Sequence, residues 1–98
     1  MKKVAPIHPG EILKDTFEEA GIKANAAALA MRIPASRLTA ILHGKRSITA
    51  DTALRLGRLF NTSALMWLNL QSTYDLQVAE DASGRQIAKD VVALSVSD

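Results

Sequence analysis

Few side chains of this 98-residue chain could do chemistry, and their spacing argues first against catalysis. His8 and His43 are the two histidines, and neither has a carboxylate cluster at ligand spacing. A metal site, which needs three or four convergent donors, is therefore not expected. The absence of Cys removes a thiol nucleophile, a Cys-based zinc site and a disulfide framework together. Ser36 and Ser63 lack a neighbouring His and acid for a nucleophilic triad. Gly44-Lys45-Arg46-Ser47 has something of a phosphate loop, but that loop needs Gly at 39 and Ser or Thr at 46, where Thr39 and Arg46 stand. Asn61-Thr62-Ser63 matches a glycosylation acceptor in a chain with no expected secretory leader. Neither an enzyme nor a cofactor is expected.

A second kind of chemistry fits better. On a helix covering about Ala35 to His43, the residues Ala35, Ser36, Thr39 and Ala40 face away from an inward stripe of Leu38, Ile41 and Leu42. Short hydroxyl and methyl side chains of this kind allow a helix to approach base edges in a DNA major groove. Arg32, Arg37, Lys45 and Arg46 surround that face and could hold phosphates on either side. The competing reading is an antiparallel helix pair whose exposed charges only solvate it.

Such a face must be positioned, and the helical signals are strong. A first helix starts at Pro9, suited to the first helical position, repeats Ile12, Leu13, Phe17 and Ala20 inward, and stops at Gly21. A short alanine-rich helix follows, about Ala24 to Met31. Pro34 then separates it from the helix closed by Gly44, giving the proportions of a helix-turn-helix over about 24–43. Thr49 caps a fourth helix expected to bury Ala53, Leu54, Leu56, Gly57 and Phe60 and to expose Arg55 and Arg58. Ser63 caps a fifth, expected to reach about Asp81, with apolar residues around much of its circumference. After Ala82-Ser83-Gly84 two patterns compete: Ile87, Val91 and Leu94 fit a helix, whereas Val92, Leu94 and Val96 fit a strand. The expected organisation is an all-α, five-helix domain over residues 1–82 and a tail over 83–98 of open structure.

Charge is unevenly spread. Residues 1–62 carry ten Lys and Arg against five acids, and residues 63–98 carry two against five. A weak overall charge of +2 thus hides a basic front, suited to a polyanion, and an acidic back. No apolar run approaches the ~20 residues of a membrane span, so no membrane partner is expected and a cytoplasmic location is. Candidate partner or dimer surfaces are Trp67, Leu70 and Tyr74 on the fifth helix, with Val91 and Leu94 in the tail.

Three ordered segments carry a resemblance: His8-Pro9-Gly10-Glu11-Ile12-Leu13, then Gly44-Lys45-Arg46-Ser47-Ile48-Thr49-Ala50-Asp51-Thr52-Ala53-Leu54-Arg55-Leu56, then Met66-Trp67-Leu68-Asn69-Leu70-Gln71 with Tyr74-Asp75-Leu76. Over residues 5–80 the chain resembles HigA-type antitoxins of type II toxin–antitoxin pairs, within the Cro/repressor-like (XRE) helix-turn-helix family. The resemblance implies a lambda-repressor-like fold and a dimeric autorepressor that binds double-stranded operator DNA. It also implies neutralisation of a cognate small, basic, mRNA-cleaving toxin. The family's base-reading positions fall on Ala35, Ser36, Thr39 and Ala40, and its backbone-contact positions on Arg37, Lys45 and Arg46. The chain departs from the family pattern at Lys23 and Ala24, where a Ser/Thr cap and a Gln are common, at Arg32, where a turn Gly is common, and at Ala27, which replaces a Leu. The alternatives are a stand-alone regulator of the same fold, with no toxin, and an interaction module that does not bind DNA.

Overall fold

The computed structural model describes residues 5–95. Five helices follow one another: α1 (Pro9–Ala20), α2 (Ala24–Met31), α3 (Ala35–Leu42), α4 (Ala50–Phe60) and α5 (Ala64–Asp90). No strand occurs among the described residues.

The helix ends are set by local chemistry. At α1 the His8 ring takes the cap position, its Nδ1 accepting from the Gly10 N–H at 2.9 Å. Thr49 and Ser63 cap α4 and α5 through their hydroxyls, accepting from the N–H groups of Thr52 and Met66. Gly21 ends α1 in the left-handed region at φ 67°, where the missing Cβ removes the steric cost. Helix α2 differs at both ends: Lys23 offers no side-chain cap, and Arg32 closes it at φ 60°, a conformation a β-carbon disfavours.

Leu13, Leu38, Ile41, Ala53 and Leu56 are wholly buried, and Phe17, Met31, Ile48 and Trp67 nearly so. Ala27 and Ala28 occupy the core side of α2, so small residues bring that helix close to its neighbours. Phe60 lies between Phe17 and Trp67, with ring centroids 5.6 and 5.8 Å away, within the range of favourable aromatic contacts. Helix α3, which carries the candidate face, packs on α1 and α2, whereas α4 packs mainly on α5.

Four sequence expectations need correction. Helix α5 continues through Ala82-Ser83-Gly84 to Asp90, because one interior Gly costs a helix only about 1 kcal/mol relative to Ala. The proposed boundary after residue 82 therefore falls within a helix. Residues 91–95 form neither helix nor strand, and Val96 lies outside the described residues. Leu54 is 66% exposed, since α4 turns Thr52 inward instead. Ile12 and Ala20 also face solvent, leaving Leu13 and Phe17 as the inward stripe of α1.

Candidate nucleic-acid interface

Leu38 and Ile41 anchor α3 in the core with no exposed surface. Helical geometry then turns the opposite side outward: Ala35, Ser36 and Thr39 are exposed and Ala40 half-exposed. Exposed basic residues flank both ends of this face, Arg32 before it and Lys45 with Arg46 after it. His43, the C-cap of α3, is exposed as well.

The turn behind α3 is fixed by backbone and by a distant side chain. The N–H of Gly44 donates to the Ile41 carbonyl and that of Lys45 to the Ala40 carbonyl, at 3.0 and 2.9 Å. Ile48 is buried, and its N–H donates to Oε1 of Gln71 on α5 at 2.8 Å. Gln71 is itself buried, and its Nε2 donates to Oδ1 of Asp75 at 2.9 Å. The segment bearing Lys45 and Arg46 is thus tied to α5 by a buried amide hydrogen-bonded through both its oxygen and its nitrogen.

Arg37 lies apart from the other basic candidates. Its Nη2 donates to Oδ2 of Asp51 at 2.9 Å and to the Thr52 hydroxyl at 2.6 Å, and its side chain is only 22% exposed. Asp51 Oδ2 also accepts from Arg55 Nε at 2.8 Å, while Arg55 Nη1 donates to the Met31 carbonyl at 2.7 Å. The hydrogen bond from Arg55, followed by that from Arg37, holds the Asp51 carboxyl below the usual aspartate range. Gln71, Asp51 and Arg55 were not picked out as site residues from sequence. Their partners lie up to 24 residues away, and only the i,i+4 pairs Asp51–Arg55 and Gln71–Asp75 stand at a spacing that a sequence displays.

Among the partner-surface candidates, Trp67 must be withdrawn: it is 2% exposed, and its Nε1 donates to the hydroxyl of Thr62 in the turn between α4 and α5. Leu70 is half-buried. Tyr74 is half-buried against His8, edge to face with ring centroids 4.8 Å apart. Val91 and Leu94 are exposed. Among the described residues no group of His, Asp and Glu is placed to hold a metal. No helix there is long and apolar enough to cross a membrane.

The helix-turn-helix family model matches residues 13–67, more than half of the chain and all of the α2–α3 unit. The chain belongs to the helix-turn-helix family. Among curated relatives, Virulence-associated protein I of Dichelobacter nodosus is 49% identical over 75 residues, 76% of this chain and 69% of that protein. A solved addiction module antidote protein of the HigA family from Coxiella burnetii has a TM-score of 0.87 and 49% identity, covering 93% of this chain and all of that one. The Pseudomonas aeruginosa antitoxin HigA, solved with its higBA promoter, has a TM-score of 0.87 and 46% identity over 92% of this chain and 99% of its own. The five-helix fold of this helix-turn-helix protein is therefore that of the HigA-type antitoxins, as the sequence segments had implied.

Proposed function

We propose that this chain is an antitoxin and autorepressor. It binds its own operator through α3 and neutralises a small, basic, mRNA-cleaving toxin by forming a complex with it, acting in the cytoplasm. The observation that carries the reading is the near full-length likeness to an antitoxin solved with its promoter, together with an α3 face of short side chains flanked by exposed cations. On this reading Ala35, Ser36, Thr39 and Ala40 meet base edges, the alanines through thymine methyls. Arg32, Lys45 and Arg46 meet phosphates and hold register.

One such helix reads only a few base pairs. Two half-sites about 34–36 Å apart on one DNA face give useful specificity, which requires a two-fold dimer. The acidic back half of the chain suits a basic toxin.

Where a small basic protein is encoded beside this chain, co-expression of the two is expected to yield a stable complex and to relieve growth inhibition. Failure of both, with each protein folded, would leave the stand-alone regulator. If the folded chain also fails to bind DNA from its own upstream region, the operator reading falls with it.

A further inference from the structure

We infer that Asp51 and Arg37 are positioning residues that lock the presented face of α3, so that Arg37 acts through the fold instead of touching DNA. The inference rests on the operator-binding reading and refines which residues serve it. Helix α3 has only eight residues, and its cap residue Pro34 supplies no side-chain hydrogen bond. A helix this short has little stability of its own and takes its orientation from what holds it. Its core side is held by α1 and α2, but its packing against α4 is slight.

Arg37 spans that gap. Its Nη2 reaches Asp51 Oδ2 and the Thr52 hydroxyl, and Thr52 is wholly buried within hydrogen-bonding reach of the Thr49 cap, Oγ1 to Oγ1 at 3.2 Å. From the other side Arg55 holds the same Asp51 oxygen and, through Nη1, the Met31 carbonyl at the end of α2. One carboxylate oxygen therefore joins the end of α2, the middle of α3 and the start of α4, the three pieces that set the angle of a helix-turn-helix. Ion pairs this exposed contribute little to global stability, yet side chains as short as Ser36 and Thr39 reach base edges only if α3 is held at the right depth and angle.

The two roles predict opposite signs. By charge alone, Asp51→Asn removes an anion from a basic module and should tighten DNA binding; by positioning, it should weaken operator binding. If Arg37 touched phosphate, Arg37→Met would lower the salt slope of binding by about one unit for each bound chain; as a positioning residue it should leave the slope unchanged.

The test titrates the full chain and its variants, at several salt concentrations, with the duplex upstream of its own coding sequence and with a scrambled duplex. Asp51→Asn and Arg37→Met are each expected to weaken operator binding on the order of tenfold, the scale of one charge-assisted hydrogen bond. The slope should stay constant, and the double variant should be no worse than either single one. Asp51→Glu should recover part of the loss. Amide exchange in the free protein gives a readout without DNA: Asp51→Asn should speed exchange at the α3 amides that otherwise resist it. This arm also decides the matter if Arg37→Met does not fold or if the wild type binds no DNA, which would overturn the operator reading separately. The inference is overturned if Asp51→Asn tightens operator binding, if Arg37→Met lowers the slope by about one unit for each bound chain, or if α3 exchange is unchanged.

Discussion

Gly10 shows how much of this architecture depends on a single missing methyl group. Where α1 meets α3, a β-carbon at residue 10 would collide with the Ile41 carbonyl, and backbone cannot swing aside as a long side chain can. Gly10→Ala is expected to destabilise the fold by about 3 kcal/mol, the upper range for an overpacked core, measured as a lower urea midpoint with unchanged slope. Asp51 gives a pH-dependent counterpart. Its pKa is lowered in the fold by the guanidinium groups of Arg55 and Arg37. Its contribution is thus complete above the unfolded-state value of about 3.9 and is lost as pH falls through the lower folded value. The stability difference between wild type and Asp51→Asn should be constant from neutral pH to about pH 5 and shrink in more acid solution. A difference that grows on acidification would refute the assignment. Single-residue roles with local causes were readable beforehand: Thr49 and Ser63 each act within three positions of where they stand. Arg37 was not, because its nature as a cation suggested a phosphate and its real partner lies 14 residues on.

The helices were readable nearly to the residue where caps and breakers speak, at Pro9, Gly21, Pro34, Thr49 and Ser63. They were misjudged where the only cue was composition. Ala82-Ser83-Gly84 has the residues of a loop, yet α5 passes through it, since Glu80, Gln86 and Lys89 around it are helix formers and Gln86 Nε2 donates to Asp90 across one turn. A Cβ at residue 84 would meet only the Glu80 Cβ at 3.8 Å, an ordinary contact. Gly84→Ala is therefore expected to stabilise this part of α5 by up to about 1 kcal/mol, seen as slower amide exchange over residues 82–90. No gain there would mean that the wild-type chain is not helical across Gly84 in solution. Leu54 was misplaced for a different reason: the helical period admits Thr52 or Leu54 on the inner side of α4, and hydropathy favours Leu. The fold takes Thr52 because its hydroxyl has Arg37 to meet, a tertiary fact that no local pattern contains.

At the scale of the whole molecule the shape is extended, and apolar residues of α5 stand exposed. The chain extends 54 × 36 × 22 Å with a radius of gyration of 17.2 Å, against about 13 Å for a compact domain of this length. The excess comes from α5, whose 27 residues span about 40 Å and whose later turns leave the core. Leu76, Ser83 and Ile87 recur on one side of this arm, with Leu76 62% and Ile87 53% exposed. A second copy laid antiparallel along that side would bring Leu76 of each chain toward Ile87 of the other, with the small Ser83 between them allowing close approach. A dimer built this way makes DNA binding count in pairs. Each Arg46 that meets a phosphate contributes roughly one unit to the salt slope, so Arg46→Ala should lower it by about two units per bound dimer. Ile87→Asp places a charge on each arm and should shift sedimentation toward monomer at micromolar concentration. On that background Arg46→Ala should lower the slope by only about one unit, and operator affinity should fall toward that for scrambled DNA. If Ile87→Asp sediments as wild type does and the Arg46→Ala effect on the slope is the same on both backgrounds, the arm is not the dimer contact. The two-fold axis would then have to be sought at another exposed apolar residue, such as Leu29 or Leu54.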